Sequence, residues 1–143
     1  MQERVINILL VEDDDVDVMN VKRAFKKVHI TNPLYLASNG LDALMMLRGN
    51  HPEDSSLPNE RRLVLLDLNM PKMGGIEFLQ ELRADPQLRA TPVVVMTTSN
   101  QDQDRVEAYN LNVAGYIVKP VTFGNFVEMM VALNKYWILC EMP

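Results

Sequence analysis

Only one cysteine, Cys140, occurs in the chain. No internal disulfide can form, which suits a reducing compartment. Long apolar runs are missing too: nothing approaches the roughly 20 residues that cross a bilayer. Met1-Gln2-Glu3-Arg4 leads straight into the first strand-like run, leaving no room for a signal peptide. Basic residues are scattered in short pairs such as Lys26-Lys27 and Arg61-Arg62, and the net charge is −5. That balance lacks the basic stripe of a nucleic-acid binder. Repeats, low-complexity segments and linkers are absent. The expectation is a cytoplasmic protein of one domain spanning residues 1–143, with no output domain and no contact with membrane or nucleic acid. Its length suffices to bury a core without staples.

What is present is a pattern of apolar runs that each end on a reactive polar group. Ile8-Leu9-Leu10-Val11 runs into Glu12-Asp13-Asp14, and Leu63-Val64-Leu65-Leu66 into Asp67. Val93-Val94-Val95-Met96 runs into Thr97-Thr98-Ser99, and Tyr116-Ile117-Val118 into Lys119-Pro120. In an open parallel sheet, ligands bind outside the carboxyl ends of the strands. Side by side, these runs gather carboxylates, a hydroxyl and an ammonium at one edge.

Helical spacing fills the intervals. Val18, Val21, Phe25 and Val28 mark a first helix with Asp14 or Asp15 as N-cap. Leu34 to Ala37 reads as a short strand, and Leu41, Leu44 and Leu47 mark a second helix. Ile76, Leu79 and Leu82 mark a third, which Asp85-Pro86 ends because the residue before proline disfavours the helical region. A fourth helix is weak, with Val106 and Tyr109 its only large apolar residues before Leu111. The fifth, from about Thr122 to Ile138, carries Phe126, Met130, Leu133 and Trp137 on one face. Gly49 to Arg61 reads as a surface loop. The alternation is (βα)5, an α/β doubly wound fold whose parallel sheet is covered on both faces.

Three carboxylates brought to one edge repel one another, by roughly 4 kcal/mol per pair about 4 Å apart at an effective dielectric near 20. A cation or protons must neutralise them. Mg²⁺ fits, because it takes hard oxygen ligands, typically one or two carboxylates with water or phosphate oxygen. Asp67 can then act as a nucleophile toward phosphorus, with Lys119 and Thr97 contacting the phosphoryl oxygens. Phosphoryl transfer depends mainly on such positioning and charge neutralisation. Taken singly, each residue has a plainer reading as a cap or a strand end; the conjunction favours the site. His29 and His51 lack ligand-like neighbours in the sequence, and the methionines read as core filler.

The segments ILLVEDD, LLDLNMPKMGG, VVVMTTS and GYIVKP resemble the response-regulator receiver domain of two-component signalling across essentially the full chain. The resemblance implies a flavodoxin-like sandwich with sheet order 2-1-3-4-5. It makes Asp67 the phosphoacceptor and Glu12 and Asp13 the acidic pair, with Asp13 a direct metal ligand. Asn69 matches the position whose backbone carbonyl completes the metal site. Thr97 is then the switch hydroxyl, Tyr116 the switch aromatic and Lys119 the phosphoryl-contacting lysine, with a cis Lys119–Pro120 bond. The long Gly49–Arg61 loop and the ending YWILCEMP are similar to stand-alone regulators that partner phytochromes. They imply a phytochrome-type histidine kinase as donor. They also imply a homodimer through the fourth helix, fifth strand, fifth helix and the tail at Tyr136, Trp137, Ile138 and Leu139. Gly74-Gly75 departs from the usual Asp-Gly or Asn-Gly, which should alter the loop and not the chemistry.

Two other functions compete. An Mg²⁺-dependent aspartyl-phosphate hydrolase of the dehalogenase class also combines an acidic nucleophile, Thr and Lys. Those enzymes normally place a second aspartate two residues after the nucleophile, where this chain has Asn69. A flavodoxin-like nucleotide or flavin binder would need a glycine-rich loop in place of the acidic first βα turn.

Overall fold

A computed structural model describes residues 5–54 and 56–143; the expectation for Met1 to Arg4 therefore lies outside the described residues. Five strands and five helices alternate: β1 (Asn7–Val11), α1 (Asp15–Lys27), β2 (Leu34–Ala37), α2 (Gly40–Arg48), β3 (Arg62–Leu66), α3 (Gly75–Ala84), β4 (Val93–Thr97), α4 (Asp102–Asn110), β5 (Gly115–Val118) and α5 (Phe123–Leu139). All strand pairs are parallel, in the order β2-β1-β3-β4-β5. The fold class and strand order match the expectation.

Every residue of β1, β3 and β4 is buried, as a sheet covered on both faces requires. Because side chains alternate across a strand, each central strand feeds two cores. Leu9, Val11, Val64, Leu66, Val93 and Val95 pack with α2 and α3. Ile8, Leu10, Leu63, Leu65, Val94 and Met96 pack with α1 and α5. Trp137 lies wholly inside the second core, tilted against Phe25 with ring centroids 6.1 Å apart. Asp14 caps α1, its carboxylate accepting from the N–H groups of Val16 and Asp17, and Thr122 caps α5.

One expectation changes and two gain detail. Val106 and Tyr109 are exposed, and Ala108 is the buried residue of α4. Its C-terminal end is held by a clamp from α3. The Arg83 guanidinium donates to the carbonyls of Leu111, Thr91, Arg89 and Asn112 at 2.7, 2.7, 2.8 and 3.1 Å, tying the C-terminal end of α4 to the loop before β4. The segment from Gly49 to Arg61 is more than a solvated loop, since Leu57 is buried in the first core and His51 Nδ1 accepts from the N–H groups of Glu53 and Asp54. The Lys119–Pro120 bond is trans, the isomer that X–Pro bonds favour by about 0.5–1 kcal/mol.

Candidate functional site

Register decides which polar groups meet. Val11 pairs with Leu66 and Leu66 with Val95, so β1, β3 and β4 end nearly level. Glu12 and Asp67 therefore emerge side by side, and the Asp67 N–H donates to the Val11 carbonyl at 3.1 Å. Carboxylate oxygens of Glu12, Asp13 and Asp67 all lie within 4.8 Å of one another. Glu12 and Asp67 are buried while Asp13 is exposed, leaving the cluster one open side. Such an all-oxygen set of clustered acids is the donor chemistry of a hard divalent cation. An adjoining cavity of about 420 Å³, lined in part by Asp13, Asp15, Asp42 and His51, extends the negative field outward.

Lys119 is the counter-charge. Its ammonium pairs with Glu12 Oε1 and, at 3.0 Å, with Asp17 Oδ2. Its backbone N–H donates to the Thr97 carbonyl at 2.7 Å, so strand pairing itself holds the lysine beside the hydroxyl. Burial pushes the Glu12 carboxyl well above the ordinary carboxylate range, against the pull of Lys119, and Asp67 adds to the rise. Burial alone would lower the Lys119 ammonium, but Glu12, Asp67 and Asp17 outweigh it and hold the group above its usual value. Without a cation, the site is a carboxylate cluster only partly offset by one lysine.

Thr97 is fully buried, and its Oγ1 accepts from the Ser99 N–H at 3.3 Å. Tyr116 is half-buried; its hydroxyl donates to the Ser99 carbonyl at 3.1 Å, with the Arg105 guanidinium 5.9 Å from its ring centroid. Asn69 is exposed, and its N–H donates to Asp67 Oδ1 at 3.4 Å.

The loop after Asp67 depends on two glycines. A Cβ at Gly75 would lie 2.7 Å from Leu68 Cα and 2.8 Å from the Asp67 carbonyl, and one at Gly40 would lie 2.7 Å from the Met73 carbonyl. Helix α3 and the start of α2 are thereby drawn against the strand end that carries Asp67. Gly74, at the N-cap of α3, supplies no side-chain cap. An Asp or Asn there could have capped the helix, so this departure touches the cap and leaves the carboxylate cluster alone.

Sequence reasoning missed two participants. Asp17 belongs to the site through Lys119; as an acid in the first turn of α1 it carries no local signal for that role. His51 has a carboxylate neighbour after all, with Nε2 3.6 Å from Asp42 Oδ1, the loop after α2 folding back on the first turn of that helix.

Comparison with known proteins agrees with this fold. Residues 8–131 match the family model described as the response regulator receiver domain. The chain is 39% identical over 131 residues to the probable methanogenesis regulatory protein FilR2 of Methanothrix harundinacea (strain 6Ac), covering 92% of this chain and 83% of the relative. It is 37% identical over 133 residues to response regulator Rcp1 of Synechocystis sp. (strain ATCC 27184 / PCC 6803 / Kazusa), covering 92% and 88%. A crystal structure of the Mn(2+)-bound form of Rcp1 superposes with a TM-score of 0.83 at 35% identity, over 96% of this chain and 99% of that one. The phosphorylated cyanobacterial phytochrome response regulator RcpA is similar as well, with a TM-score of 0.85 and 30% identity over 97% and 99%.

Proposed function

The chain belongs to the response-regulator receiver family and is a two-component response regulator, and from that premise we propose that it receives a phosphoryl group from a histidine kinase on Asp67. The observation that carries the proposal is the meeting of Glu12, Asp13 and Asp67 oxygens within 4.8 Å, with Lys119 bound beside them. Residues 1–143 are read as one receiver domain, acting in the cytoplasm. Among the described residues no helix is long and apolar enough to cross a membrane. The dehalogenase-class alternative gains no support from the comparisons.

In this reading an Asp67 carboxylate oxygen forms the new bond to phosphorus as the donor's P–N bond breaks, its electron pair leaving with the imidazole nitrogen. Glu12, Asp13, Asp67 and the backbone carbonyl of Asn69 would hold a divalent cation, read as Mg²⁺ from the hard oxygen donors. When bound, the cation neutralises the acidic cluster and the phosphoryl oxygens. Lys119 and Thr97 contact the remaining oxygens. Thr97 moving toward the phosphoryl group vacates space for the Tyr116 ring, which now holds the Ser99 carbonyl ahead of α4. With Ala108 its buried residue, α4 is the element least resisted by packing when this happens. The kinase is read as phytochrome-type, and the output as a surface of α4, β5 and α5 that also supports a homodimer.

Acetyl phosphate with Mg²⁺ tests the reading. A single acyl-phosphate adduct should map to Asp67 and vanish in Asp67→Asn, while Thr97→Ala should accept phosphate without moving α4. Adduct formation elsewhere, or continuous turnover without an adduct, would overturn it.

A further inference from the structure

Lys119 is occupied in a way the phosphoacceptor reading does not require. Its side chain is 8% exposed, and its ammonium has donors but no acceptor capacity. Two carboxylates satisfy it: the buried Glu12 and, at 3.0 Å, Asp17 in the first turn of α1. Among the described residues no ion pair joins Lys119 to Asp67. The unphosphorylated chain thus engages its phosphoryl-contacting ammonium at the β1–α1 junction, on Glu12 and Asp17.

We propose that Asp17 is a positioning residue that competes with the phosphoryl group on Asp67 for Lys119. This inference rests on the reading of Asp67 as the phosphoacceptor. To reach oxygens on Asp67, the ammonium must loosen one of its two partners. Glu12 is nearly inaccessible, with a side chain 2% exposed, whereas that of Asp17 is 35% exposed and exchanges Lys119 for water at lower cost. Asp17 is therefore the contact that yields. Its strength sets how readily Lys119 engages phosphate, and so the affinity of the site for a phosphoryl group.

A plainer role for Asp17 is to favour the positive N-terminal end of α1. Asp15 shares that role, being exposed in the same first turn with no bond to Lys119. It supplies the control.

The experiment uses the full chain with Mg²⁺ and beryllofluoride, an acyl-phosphate analogue, titrated calorimetrically. Asp17→Asn should bind the analogue about two- to five-fold more tightly, the range set by the strength of a partly exposed ion pair. Asp15→Asn should bind as the unaltered chain does, and Asp17→Glu should restore its affinity. A crystal structure of metal-free Asp17→Asn should show Lys119 Nζ within hydrogen-bonding distance of Asp67. Equal affinities in Asp17→Asn and Asp15→Asn, or a Lys119 unmoved when Asp17 is neutralised, would overturn the proposal. Peptide mapping of the acetyl-phosphate adduct on the unaltered chain keeps the two readings apart. An adduct away from Asp67 overturns the acceptor assignment and this inference with it. An adduct on Asp67 with unchanged Asp17→Asn affinity overturns only the latter.

Discussion

Removing Asp13 should stabilise the metal-free protein and destabilise the metal-loaded one. The three carboxylates present oxygens no more than 4.8 Å apart. At that separation two like charges repel by about 0.9 kcal/mol in water and about 3.5 kcal/mol at an effective dielectric of 20. Asp13 is exposed, which places it toward the weaker end, and the charge of Glu12 is offset by Lys119, which leaves Asp67 as the main opponent. Asp13→Ala should therefore relieve about 1–2 kcal/mol of repulsion. Losing an acid beside the N-terminus of α1 returns about 0.3–1 kcal/mol of that. The net expectation in EDTA is a gain of roughly 0–1.7 kcal/mol. Urea unfolding can be followed by fluorescence of Trp137, the one tryptophan and fully buried. With Mg²⁺ at about a hundred times its dissociation constant, the unaltered chain should gain about 2.7 kcal/mol by linkage, and the variant far less. The order of midpoints should thus reverse between EDTA and Mg²⁺ at unchanged slope. A variant less stable in EDTA, or equal stabilisation of both proteins by Mg²⁺, would refute the electrostatic account of the site.

Gly75→Ala should destabilise by about 1–3 kcal/mol, the usual cost of overpacking, because the new Cβ meets the backbone of Leu68 and Asp67. Gly124→Ala, a helical position with open space around it, should instead stabilise by about 0.5–1 kcal/mol, and thermal melts of both distinguish steric crowding from a general glycine effect. For the homodimer, the exposed Tyr136, Ile138 and Leu139 are the residues to change, since Trp137 between them belongs to the core and truncation at 136 would remove it. Replacing those three by serine should weaken a dimer seen by sedimentation; a monomer at high micromolar concentration before the change would exclude the homodimer.

The fold was legible because hydrophobic pattern and strand topology agree. Runs such as Val93 to Met96 are apolar without alternation, as a sheet covered on both faces accommodates, and each is followed by one helix. The site was legible for a related reason: a parallel sheet delivers whatever follows each strand to a common edge, so strand ends alone placed Glu12, Asp67, Thr97 and Lys119 together. Helix α4 was read as weakly apolar, as it is, but what holds it was not legible. Its position owes little to its own apolar residues and much to Arg83, whose four carbonyl partners are spread from Arg89 to Asn112. Such clamps leave no period in a sequence. Asp17 escaped for a different reason, since a first-turn acid already has a sufficient explanation in the helix dipole. What marks it is the lysine it meets, 102 residues away. Strand ends thus announce the groups that do chemistry, while the groups that tune them are chosen by contacts between segments and become visible only when the chain is folded.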